Sequence, residues 1–175
     1  MATETAPVDD APSPRLRNPL PKGTIPVGVG LAVAGLSSYA FLSIASHAMP
    51  EDQYGFKPSP EEMPFGALMW HIAIAQEYRV SQVAGVPFAL PQGPQPADKR
   101  SILKGLAASF DHCAAMLRTL TPAQLDAAYT VDWVGMPQAT GRQVVQAMFT
   151  HTAHHRGQAE VYLRLKGIKP PAYRY

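Results

Sequence analysis

The chain has 175 residues, enough for one domain with a full hydrophobic core and too few to expect two. It is 46% apolar and 16% charged with a formal net charge of +2, so it lacks the basic excess that a nucleic-acid surface needs, and we expect no nucleic-acid partner. One cysteine, Cys113, excludes an internal disulfide and leaves the redox compartment open.

The 18 prolines fall in clusters that leave long proline-free windows for helices. Residues 1–23 mix Pro, Ala, Asp and Arg without apolar periodicity and read as a disordered tail; residues 24–175 form the single domain. Thr24 to Ala45 carries no charge and is long enough to cross a bilayer, and Arg15, Arg17 and Lys22 precede it, so a membrane tether and a cleaved signal both have to be weighed. Its glycines, Pro26 and Ser37-Ser38 dilute the hydrophobicity, and we read a buried bundle helix from about Val29 to Ala48. A cytoplasmic location follows, with export or tethering through residues 24–45 as the alternative.

A connection with two aromatic anchors, Tyr54 and Phe56, leads to Ser59-Pro60-Glu61-Glu62, which matches a capping box. Pro64 would interrupt a helix begun there, which makes Phe65 the competing start. Leu68, His71, Ile72, Ala75 and Arg79 then recur at helical spacing until Ala84-Gly85. Val86 to Ala97 holds four prolines and a glycine, a loop long enough to wall a pocket. In the third helix Asp98 is the expected N-cap, and Leu103, Leu106, Phe110, Cys113 and Leu117 form the inner stripe. That stripe makes Cys113 a core residue and puts His112 at its edge or in solvent. Thr121-Pro122 opens a short turn or helix, and Tyr129 to Val134 alternates as one short extended segment. Thr140-Gly141-Arg142-Gln143 is a second capping box; it opens a long helix that Gly167 and Pro170-Pro171 close. Four apolar helical faces are best buried as a four-helix bundle, so the fold class is all-α.

The last helix holds three of the six histidines within five residues. His151 and His155, at i and i+4, share one face and can grip one metal ion; His154 lies off that face. His71 is the best candidate for a third ligand, and three histidines with one open position describe a catalytic zinc-type site. The competing reading is a set of core histidines satisfied by hydrogen bonds. Thr152 stands where the zincin motif requires Glu, which excludes that class. Gln158 and Tyr162 extend the His151/His155 face, and Tyr78 shares the His71 face, so these three are the pocket candidates for a catalytic role. A pocket with no carboxylate base suits a metal that activates its own nucleophile, a thiol or a water.

The segments Met49 to Pro58, Phe65 to Ala73, His151 to Gln158, Val161 to Arg164 and Gly167 to Pro171 together resemble the DinB-like superfamily, in order and spacing, over about residues 29–171. The resemblance implies a four-helix bundle with a metal held by His71, His151 and His155, and His154 as a non-ligand. It implies metal-dependent hydrolase or thiol-dependent S-transferase activity on a small molecule, a low-molecular-weight thiol as co-substrate, and a homodimer. The expected metal is a divalent cation, zinc or nickel ahead of iron or manganese. The alternative is a non-catalytic, metal-containing binding or stress-response module. Two departures stand out: Pro64 where relatives have a Ser or Thr cap, and a first helix far more apolar than theirs.

Overall fold

The computed structural model describes residues 39–90, 94–131 and 137–172. The expected tail, the first part of the apolar segment and the end of the extended segment near Trp133 lie outside them. Residues 39–48 are helical (α1), followed by a single 3-10 turn at Glu51–Gln53, then α2 (Phe65–Ala84), α3 (Lys99–Thr119), the short α4 (Pro122–Asp126), β1 (Ala128–Thr130), β2 (Gln138–Thr140) and α5 (Gly141–Leu165). Among the described residues, no helix is long and apolar enough to cross a membrane.

Side-chain contacts fix the direction of each helix. Tyr162 Oη donates to Met63 O at 2.7 Å at one end of the α2/α5 pair, and Val83 packs with Val144 at the other, so these helices are antiparallel. Gln76 donates to Ser109 at 2.7 Å, and Ser81 reaches Met116, so α2 and α3 run parallel. A parallel pair forces the chain to travel back along the bundle. The 20 residues of α2 span about 30 Å, and residues 85–98, even partly extended, can cover that distance. The proline-rich loop is therefore the return crossover. It leaves α2 at Gly85, whose φ of 70° is the left-handed conformation that ends a helix at little cost only for glycine.

The start of α2 decides between the two starts the sequence offered, in favour of Phe65. Ser59 to Glu62 makes a turn and no helix, because Pro64 has no N–H to donate back to residue 60. The free N–H groups at the new start are satisfied from a distance in the chain: Phe65 N donates to Phe56 O at 3.0 Å and Gly66 N to Tyr54 O at 2.8 Å. At α3, Asp98 accepts from Ser101 N as expected. Its buried stripe keeps Leu106, Phe110, Cys113 and Leu117, with Ile102 fully buried where Leu103 was expected. Burial pushes the Cys113 thiol far up, out of the reactive range. Thr140 forms its capping box with Gln143, and Thr121 forms one with Gln124. The extended segment is one arm of a ribbon: β1 pairs antiparallel with β2, Tyr129 opposite Ala139.

The described core falls into separate apolar clusters. The larger joins α1, α2, α3 and α5 through residues such as Leu42, Leu68, Leu106 and Leu163. A second, around Val80, Cys113, Met116 and Met148, closes the other end. Between them lies a polar waist, in which α2 buries Gln76, Glu77 and Arg79 within a single turn. Gly105 sets the helix spacing just before the waist, since a Cβ there would collide with the Trp70 ring.

Candidate metal centre

His71 projects from α2 into this waist and meets His151 and His155 of α5. His71 Nε2 lies 3.0 Å from His151 Nε2, which lies 3.0 Å from His155 Nε2. The three rings are 4.3 to 5.0 Å apart between centroids, and one nitrogen of each lies within 4.8 Å of the others. Two imidazoles bound to one tetrahedral zinc at 2.0–2.1 Å have their nitrogens about 3.3 Å apart, so the observed spacing is close to that of a coordination triangle.

Proton bookkeeping separates ligation from hydrogen bonding. His155 Nδ1 lies 2.6 Å from Gln158 Oε1, an oxygen that can only accept, so Nδ1 carries the proton and Nε2 presents a lone pair. His151 Nε2 faces two nitrogens and can share a proton with only one of them. If it donates to His155, the contact with His71 can only share that same proton; if it accepts from His71, the contact with His155 has no proton. Three ring nitrogens this close, with few protons to share among them, are the arrangement that three lone pairs directed at one cation would need.

The electrostatics keep those lone pairs free. Burial, reinforced by the Arg79 guanidinium, lowers the His71 pKa. Burial, Arg79 and the neighbouring imidazoles push His151 down to about 3. Burial also lowers His155, with the Gln158 hydrogen bond opposing it. All three are neutral at pH 7, the state in which imidazole binds metal.

The structure brings together four of the residues singled out by sequence: His71, His151, His155 and Gln158. His154 is exposed and lies outside the cluster. Tyr162 shares the α5 face but sits two turns, about 10 Å, beyond His155; it is buried, and its hydroxyl is spent on Met63. Tyr78 is 45% exposed and lines a separate shallow cleft with Ser81, Gln82, Gly85, Val86 and Phe88, so the proline-rich loop does wall a pocket, away from the histidines. Sharing a helical face is not sharing a layer, and neither tyrosine reaches the centre.

Two features escaped the sequence reading. Arg79 is buried beside the histidines, although its position two turns after His71 on one face was visible. His112 is neither core nor free: its Nδ1 lies 2.7 Å from Glu77 Oε1, which also accepts from Ala89 N, tying the crossover loop to the waist. No spacing rule exposes that pair.

An all-α bundle in which the long helices α2 and α3 run parallel and α5 antiparallel to them, holding three convergent neutral imidazoles at its polar waist, defines a helical-bundle protein with a candidate metal centre. The family model described as the DinB superfamily matches residues 40–159, and the chain belongs to that superfamily. It is 28% identical over 118 residues to the uncharacterized protein YjoA of Bacillus subtilis, covering 67% of this chain and 76% of that one. The crystal structure of YjoA superposes with a TM-score of 0.69 at 24% identity, over 83% of this chain and 98% of that chain. A DinB-like protein of Bacillus cereus superposes with a TM-score of 0.70 at 18% identity, over 83% and 97%. At these identities the solved structures establish the fold.

Proposed function

We propose that the chain is a metal-dependent enzyme of the DinB superfamily in which His71, His151 and His155 hold a divalent cation. The observation that carries this reading is the convergence of three Nε2 atoms from two helices, with Gln158 accepting from His155 Nδ1 and so leaving its Nε2 a lone pair. Neutral nitrogen donors of this kind suit zinc or nickel first, with iron or manganese as further candidates.

The surroundings favour a nucleophile activated at the metal. Glu160 pairs with Arg164 on the outside of α5, and Glu77 is engaged by His112 and Ala89 N on the α3 side. Glu160 is thereby held away from the histidines, and Glu77 spends Oε1 on the α3 side and the crossover loop. A bound cation lowers the pKa of a thiol or water in its open position. The chain's own part is to hold three donors rigidly on two packed helices, to orient His155 through Gln158, and to exclude bulk water between two apolar clusters. On this reading the reaction is thiol-dependent transfer to a small electrophile, with hydrolysis second, and the working assembly is a homodimer.

The test is elemental analysis of protein purified without chelators, followed by a screen of small electrophiles with and without added low-molecular-weight thiols. Near-stoichiometric metal and thiol-dependent turnover are expected. Turnover without thiol would select hydrolysis, and bound metal without turnover on any electrophile would favour a binding module.

A further inference from the structure

We draw no further inference here: the strongest candidate, the side-chain pair of buried Glu77 and half-buried His112 in the seam between α2 and α3, belongs to the packing already described, where its short contacts tie the crossover loop to the waist, and no third metal-ligating group joins it among the described residues.

Discussion

Gln158 illustrates how one side chain sets the chemistry of its neighbour. By accepting from His155 Nδ1 at 2.6 Å it fixes which nitrogen faces His71 and His151. Partners of this kind tune metal affinity by about 10–100-fold, so Gln158→Leu should weaken metal binding by roughly that factor while reaching full occupancy at high metal, measured by competition with a chromophoric chelator. The histidines also predict a pH dependence. In the metal-free protein their folded pKa values lie below the unfolded value of about 6.5, so the unfolded chain binds more protons as pH falls. Their contribution is neutral above that value and turns destabilising as pH drops below it, most persistently for His151, whose pKa is about 3. Denaturant midpoints of the metal-free protein should fall between pH 7 and pH 5, and replacing His151 with Leu should flatten that fall. The three histidines were legible in the sequence because three of six fall within five residues of one helix, His151 and His155 share its face, and the matching segments resemble the DinB-like superfamily. Arg79 was visible on the same periodic stripe, but its burial was not, because an arginine ordinarily faces solvent.

Elements differ in how far their ends can be read. The box at Thr140 was readable because cap and partner are three residues apart, and Thr140→Ala should destabilise the protein by about 1 kcal/mol in chemical denaturation. The start of α2 stayed open between Ser59 and Phe65 in the sequence because its caps are the carbonyls of Tyr54 and Phe56, supplied by the path of the preceding turn. Likewise, Gln138–Thr140 has no strand-like alternation and becomes β2 only by pairing with β1. At Gly105, substitution by Ala should force Trp70 aside, at a cost of about 1–3 kcal/mol. Trp70 is joined to His71, so the same variant should also weaken metal binding, a coupling absent from a surface Gly→Ala change at Gly157, where a Cβ meets open space.

For the whole molecule, the all-α bundle was legible from four apolar periodic windows, while its topology was not. The parallel α2/α3 pair follows from side chains meeting across helices, Gln76 with Ser109 and Glu77 with His112, which no one-dimensional pattern contains. Metal at the waist would bridge α2 and α5 between two apolar clusters, so its removal should be felt globally. Metal at 100 times its Kd adds about 2.7 kcal/mol, and for a chain of this size chelation should lower the Tm by roughly 5–10 °C. The most direct test is metal content by elemental analysis across wild type, His155→Ala and His154→Ala. About one divalent metal per chain in wild type and His154→Ala, with almost none in His155→Ala, is the predicted result. A wild type without metal, or a His155→Ala variant that retains it, would contradict the account.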